Sequence, residues 1–434
     1  MMDPISAMAV SFVAFLGLLA LGLQVPFAIA VPGILYLVLE GGVAALNGLG
    51  LVTWGSMNSF TLVAVPLFIF LADVLQCSGV SSRIYGGLAK IVAILPGGLL
   101  QTNIVGCAMF AAMTGSSVAT AASIGGVALP QLVSRGYQRR LSAGSLAAGG
   151  TLGILFPPSV AMIIYSTFTQ LSVSKLFMAG VIPGLLLSAM FMAFIGITAV
   201  INPGVAPKEA GPRSLREFGV AIADVLPFAV LIGGTMGSIY WGIATPVEAA
   251  AVGSVAAMLI SWIWGNLTWN KLLDAIDNSI RVSGNILFII FSAYIYAYAI
   301  TLSGLGDTLT DWLVNLNLSQ VGFLFALFVL YSILGCFIES IGMIVITVPV
   351  LFPALTAYNI DPIWFGVLLV IFVELGQVSP PIGINLFVIQ SVWDGKLIDV
   401  VIGTVPFHLI MFALLGLLIL FPGLALWLPA YVGH

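Results

Sequence analysis

The chain has 434 residues, of which 61% are hydrophobic and 6% charged, and its formal net charge is −4. A soluble globular chain carries roughly 45–50% apolar and about 25% charged residues, so most of this molecule is solvated by lipid. So few charges exclude a nucleic-acid surface and mark no acidic or basic partner.

The first apolar segment, residues 5–23, follows no basic region and precedes no small-residue cleavage site, so it reads as a retained span and not a signal peptide. Stretches such as 181–200, 247–264 and 407–421 are long or nearly long enough to cross a hydrocarbon core, which needs about 20 apolar residues; roughly eleven or twelve such segments follow one another, several short or broken. None alternates with a period of two, and backbone polar groups must be paired in lipid, so these are helices and not barrel strands.

Between the apolar runs 104–113 and 121–129 lies Thr114-Gly115-Ser116-Ser117-Val118-Ala119-Thr120, small and rich in hydroxyls. Each flank is short against a core of about 30 Å, so the tract reads as the tip of a re-entrant hairpin offering hard oxygen ligands. Close helix packing through small residues is the competing reading. Residues 202–217, with Pro203, Pro207, Lys208, Pro212, Arg213 and Arg216, form a soluble linker. Residues 266–281 mix Leu272, Leu273 and Ile276 with Lys271, Asp274, Asp277 and Arg281, the pattern of an amphipathic helix at a membrane surface. A second tip tract, Ile338-Glu339-Ser340-Ile341-Gly342-Met343, introduces an intramembrane carboxylate, and Glu374 supplies another beside Gly376-Gln377-Val378-Ser379. Carboxylates are expensive in hydrocarbon and should face a cavity, a cation or a donor, Glu339 before Glu374. Asp73, Asp224 and Glu248 are weaker candidates near interfaces or a partner subunit. Cys77, Cys107 and Cys336 stand far apart in apolar surroundings and read as core residues, neither disulfide-bonded nor metal-binding.

The two halves repeat each other. Leu152-Gly153-x-x-x-Pro157-Pro158 recurs as Leu375-Gly376-x-x-x-Pro380-Pro381, and Gly180-x-x-Pro183 recurs as Gly403-x-x-Pro406, with 376 − 153 and 403 − 180 both giving 223. The same offset pairs Ser117 with Ser340, Pro130 with Pro353 and Leu132 with Leu355. One repeat, used twice, organises the fold. Two consecutive prolines remove two amide donors, so each helix should unwind in mid-membrane, together with Gly153 and Gly376, and expose carbonyls suited to Na⁺- or H₃O⁺-sized cations. Arg135, Arg139 and Arg140 place the first repeat's turn in the cytoplasm, whereas the equivalent turn at 354–362 has no basic residue and carries Asp361. The basic linker and the amphipathic stretch then also return to the cytoplasm, the C-terminal end lies outside, and Lys175 is an exception. The repeats therefore run in opposite senses.

The tract Gly115-Ser116-Ser117-Val118-Ala119-Thr120-Ala121-Ala122-Ser123-Ile124-Gly125, with Gly149-x-x-x-Gly153-Ile154-Leu155-Phe156-Pro157-Pro158-Ser159 and Gly376 through Pro380-Pro381-Ile382-Gly383-Ile384-Asn385-Leu386-Phe387, resembles the large (DctM-like) membrane subunit of TRAP transporters over essentially the whole chain. The resemblance implies an all-α polytopic, inverted-repeat, elevator-type transporter with two re-entrant hairpins and two broken helices. Its parts would be N-terminal scaffold helices (1–95), a first repeat core (96–183), a linker, amphipathic arm and scaffold helices (184–303), a second repeat core (304–406) and a C-terminal helix (407–434).

It further implies Na⁺ as the coupling ion, no cofactor, a small membrane subunit, a periplasmic binding protein and multi-pass residence in a bacterial or archaeal inner membrane. One cation site would use Gly115, Ser116 and Ser117 with Gly153, the other Glu339, Ser340 and Gly342 with Gly376 and Ser379. Solute, an organic acid or a zwitterion, would lie between the tips among Thr120, Asn385, Pro157, Pro158, Pro380 and Pro381. Glu339 stands where the family often has Asp, and Gln377-Val378-Ser379 replaces a more apolar tract. Neither tip tract holds a basic residue, so anions would be met by helix N-termini and hydroxyls, and the lack of a cavity arginine suits a zwitterion. Glu40, Trp54 and Trp264 are candidate docking surfaces for a partner. An enzyme is not indicated: His408 lies in an apolar span, His434 is the last residue, and there is no Gly-x4-Gly-Lys-Ser/Thr loop to harness ATP. A single-component Na⁺-coupled carboxylate symporter of the divalent-anion type and a passive channel are the rival readings.

Overall fold

The computed structural model describes residues 4–432 except 93, 208–210, 212 and 213; Lys208, Arg213 and His434, and the side chain of Glu40, therefore lie outside what is described. Among the described residues there are helices and no strands. In the first half these are α1 (Pro4–Ala20), α2 (Val25–Gly41), α3 (Leu49–Met57), α4 (Ala64–Cys77), α5 (Val80–Val92), α6 (Leu99–Thr114), α7 (Ser117–Ser134), α8 (Arg139–Gly150), α9 (Leu152–Leu155), α10 (Val160–Thr169) and α11 (Val173–Ile201). The second half holds α12 (Leu215–Tyr240), α13 (Pro246–Ile263), α14 (Trp269–Leu302), α15 (Leu305–Asn315), α16 (Gln320–Leu334), α17 (Ser340–Ala357), α18 (Pro362–Val378), α19 (Ile384–Ser391), α20 (Leu397–Leu420) and α21 (Gly423–Val432). Nine of the described helical segments are long and apolar enough to cross a membrane.

The repeat extends beyond the motifs. Moved by 223 residues, α7 falls on α17 end for end, α8 and α9 on α18, α10 on α19, and α11 on α20, and even α2 falls within two residues of α13. Both proline pairs carry a cis peptide, and the left-handed residues Gly136 and Asn359 stand at matching turns. The boundary drawn after residue 183 lies inside α11 and that after 406 inside α20, because Pro183 and Pro406 are accommodated within continuous helices.

The hairpins close differently. Gly115, at φ +58°, ends α6 in the left-handed region and returns its N–H to the Ala111 carbonyl; Ser116 then caps α7 by accepting from the Ala119 N–H. Five residues, 335–339, separate α16 from α17, where Glu339 sits at the cap position without a side-chain bond to the helix. The arms outrun the apolar runs at their centres because Gln101, Thr102 and Asn103 in α6, and Ser117, Thr120 and Gln131 in α7, continue the helices; α7 and α17 are long enough to span by length and composition.

Two sequence expectations change. Gly153 and Gly376 are helical: Gly153 lies in the single turn α9, set off from α8 at Thr151, and Gly376 in α18; extended backbone begins at Phe156 and Ser379, and both glycines serve contact. A Cβ on Gly153 would lie 2.5 Å from the Ser116 carbonyl oxygen, and one on Gly376 would lie 2.6 Å from that of Tyr331. Residues 269–281 of the amphipathic stretch open α14, which runs unbroken for 34 residues. No proline or turn interrupts it after Arg281, so the polar face and the apolar span share one axis.

The broken helices are the centre of the molecule. Every residue of α18 from Trp364 to Val378 is buried, as is nearly all of α8 to α10. Gly144 and Gly403 bring α8 and α20 into backbone contact, and Gly180 seats α11 against the Leu155 carbonyl. Outside this centre, α4 is tied to α13 by Ser254 donating to the Leu67 carbonyl (2.9 Å), and α5 to α12 by Arg83 and Asp224 (2.5 Å). Exposed Leu, Val, Phe and Trp side chains cover the outer faces, as a lipid-solvated surface requires.

Candidate functional site: a cavity beneath two hairpin tips

A cavity of about 490 Å³ opens where the two tips meet α4 and α14. One wall is Thr114, Gly115, Ser116, Glu339 and Ser340; the opposite wall is Asp73, Gln76, Asn278, Arg281 and Asn285. The volume suits a small organic solute. Asp73 is held in place by Asn278 (2.9 Å) and Ser279 (2.6 Å), both donating to its carboxylate. Arg281 reaches the cavity from α14 while its Nε donates to Asp277 at 2.6 Å. The cavity therefore has an arginine on its wall, contrary to the expectation from the tips alone, because the cation comes from a helix distant in sequence.

The residues singled out from sequence fall into three groups. Gly115, Ser116, Glu339 and Ser340 line the cavity. Ser117, Gly153, Gly342, Gly376 and Thr120 are buried behind it. Gly115 rests against the Pro158 carbonyl, so the first tip and the first break touch, and the Thr120 hydroxyl is paired with Thr114 at 2.7 Å, crossing the hairpin instead of facing the cavity. The third group is the breaks. Pro157 and Pro158 are buried whereas Pro380 and Pro381 are exposed, so the two repeat-related breaks differ in access. Ser379 donates to the Leu375 carbonyl at 2.6 Å, which leaves it to accept from His408 Nε2 at 3.0 Å. Asn385, in the first turn of α19, is fully buried with both amide atoms unpartnered among the described residues.

Two participants were passed over in the sequence. Gln377 is completely buried and joins the tips: Ser117 Oγ donates to its Oε1 (3.0 Å), and its Nε2 donates to Ser340 Oγ (2.7 Å). His408 packs on the second break through Ser379. Each is a polar side chain in an apolar run, the signal that ordinarily marks an intramembrane site. Glu374, one turn before Gln377, is buried with neither carboxylate oxygen bonded among the described residues. Of the weaker acidic candidates, Asp224 pairs with Arg83 and Glu248 closes a capping box with Thr245, both structural uses. Trp264 carries the Arg83 guanidinium over its ring, 5.7 Å from the centroid.

Duplicated helix breaks, polar hairpin tips and a cavity between them define a multi-pass membrane transporter. The family model described as "Tripartite ATP-independent periplasmic transporter, DctM component" matches residues 12–424, and the chain belongs to this family. It is a TRAP-type large permease subunit, a transporter and not an enzyme. The C4-dicarboxylate TRAP transporter large permease protein DctM of Vibrio cholerae is 31% identical, across 98% of this chain and 97% of that protein. The isethionate TRAP transporter permease protein DctMQ of Oleidesulfovibrio alaskensis is 29% identical across 95% of this chain, which spans 65% of that protein. Among solved structures the Alcanivorax borkumensis YdaH transporter shares the fold, with a TM-score of 0.64 over 90% of each chain at 14% identity.

Proposed function

We propose that this subunit imports a small organic acid or zwitterion by an elevator movement coupled to Na⁺, receiving the solute from a periplasmic binding protein and working with a small membrane subunit in the bacterial or archaeal inner membrane. The observation that carries the reading is the position of the cavity, between the hairpin tips and α4 with α14. A solute held there touches the duplicated core on one side and the outer helices on the other, so sliding one past the other carries it from face to face. The difference in exposure between Pro157-Pro158 and Pro380-Pro381 suits one repeat being turned to the open side.

Hydroxyls and carbonyls at Gly115, Ser116 and Ser117 over Gly153 offer hard oxygen ligands for one Na⁺; Glu339 and Gly342, with Gly376 and Ser379 at the second break, offer those for another, while Ser340 lines the solute cavity. Arg281 and the amides of Asn278 and Asn285 give the far wall donors for a carboxylate, and Asp73 gives it an acceptor for a cationic group. A carboxylate finds its counter-charge in Arg281, and the names of the C4-dicarboxylate and isethionate relatives point the same way. About a third of the isethionate relative lies outside the match, room for the small-subunit function in one polypeptide.

Uptake into proteoliposomes tests this reading, using succinate, isethionate and ectoine with this subunit, its neighbouring small subunit and the cognate binding protein. We expect saturable uptake that needs both an inward Na⁺ gradient and the binding protein. Na⁺-driven uptake by this chain alone would instead make it a single-component symporter, and non-saturable flux would make it a channel.

A further inference from the structure

Ser117 and Ser340 are repeat mates, each the first residue of the returning arm of its hairpin, and one side chain serves both. Gln377 has no repeat mate of its kind: 223 residues earlier stands Ile154. A carboxamide has a donor at one end and an acceptor at the other, so it cannot treat two identical partners alike. Ser117 gives its only proton to Gln377 Oε1 and is left with lone pairs alone. Ser340 accepts from Gln377 Nε2 and keeps its O–H and a lone pair. Ser340 lines the cavity, whereas Ser117 is 1% exposed and lies behind it. The Glu374 carboxylate, one turn earlier on the same helix, is the other acceptor beside Ser117. The single hydroxyl proton goes to the amide at 3.0 Å, since neither Glu374 oxygen has a hydrogen-bond partner among the described residues.

We propose that Gln377 is a positioning residue that gives the two serines opposite roles: Ser117 is held as an acceptor-only ligand for the coupling cation, and Ser340 is held with its O–H free to donate to an acceptor oxygen of the solute. The pseudo-symmetric pair is thereby divided between ion and cargo by one asymmetric amide, buried where water does not compete for either bond. This rests on the Na⁺-coupled reading above and adds the residue that assigns the ligands.

The test is equilibrium binding of ²²Na⁺, without solute, to the purified full-length subunit and variants, each checked for a monodisperse profile and an unchanged thermal transition. Gln377→Leu removes the acceptor and frees the Ser117 proton, and we expect Na⁺ binding weaker by about tenfold, the scale of one lost charge-assisted contact. Gln377→Glu restores an acceptor for Ser117, and we expect it to bind Na⁺ at least as tightly as the wild type. Ser117→Ala should weaken binding and make Gln377→Leu silent in its background. Equal weakening by Leu and Glu, or additive losses in the Gln377→Leu/Ser117→Ala double variant, would overturn the assignment. Wild-type protein that binds no Na⁺ would sink the coupling-ion reading and the serine roles with it, whereas wild-type binding that Gln377→Leu leaves unchanged would overturn the assignment alone.

Discussion

Gly153 leaves no room for a methyl group beneath the first tip, where an added Cβ would approach the Ser116 carbonyl to 2.5 Å and the Ser117 Cα to 2.7 Å. Both neighbours are backbone, so they yield only if the tip itself moves. Gly153→Ala should therefore lower the maximal rate of uptake at least tenfold while the subunit is still inserted, at a strain on the order of 1–3 kcal/mol. Gly126→Ala, at a helical glycine with open space around it, should leave uptake unchanged. Comparing initial rates at matched subunit content checks both. At this scale the sequence was informative wherever a residue recurred in its repeat mate, as with Gly153 and Gly376 or Ser117 and Ser340. Gln377 and His408 have no such mate and were read only as a departure and as an isolated histidine. The hydrogen bonds that give them a role join α18 to both tips and to α20, contacts that sequence spacing does not carry.

Helices α8 and α20 meet through Gly144 and Gly403, each of which would drive a Cβ into the backbone of the other helix. With glycine on both sides the helices come together as small residues allow in membrane proteins, where lipid tails give no hydrophobic drive for association. Gly144→Val should split them and lower the thermal transition of the detergent-solubilised subunit by several degrees, on the order of 1–3 kcal/mol of lost stability. Tryptophan fluorescence through a thermal ramp measures it. A neighbouring ion pair, Arg140 with Asp399 at 2.7 Å, spans the same two helices but is half-exposed, so the crossing depends on glycine more than on charge. Breaks, hairpins and the 223-residue offset were legible for elements rich in Gly, Ser and Pro. That the amphipathic stretch runs on into an apolar span was not legible from its pattern, because its polar face ends where the span begins, with no residue that stops a helix between them.

Across the whole molecule the duplication reaches the outer helices, although no motif announced it there. Residues that face lipid are interchangeable among Leu, Ile, Val and Phe, so α2 and α13 keep their position and length while losing recognisable identity. For the same reason the far wall of the cavity was invisible from the tips: Asp73, Asn278 and Arg281 come from outer helices 200 residues apart in the chain and meet the tips only in the fold. The central claim is that the duplicated core moves against these outer helices.

That claim is tested by disulfide trapping in a background with Cys77, Cys107 and Cys336 replaced. Phe168 of α10 stacks on Tyr294 of α14 with ring centroids 4.6 Å apart, a contact between core and outer helix. Gly125 of α7 faces Val392 at the end of α19, a contact within the core, where an added Cβ would lie 3.2 Å from the valine methyl. We predict that oxidising Phe168→Cys/Tyr294→Cys abolishes solute uptake, that reductant restores it, and that oxidised Gly125→Cys/Val392→Cys transports as before. Undiminished uptake by fully cross-linked Phe168→Cys/Tyr294→Cys protein would contradict the account.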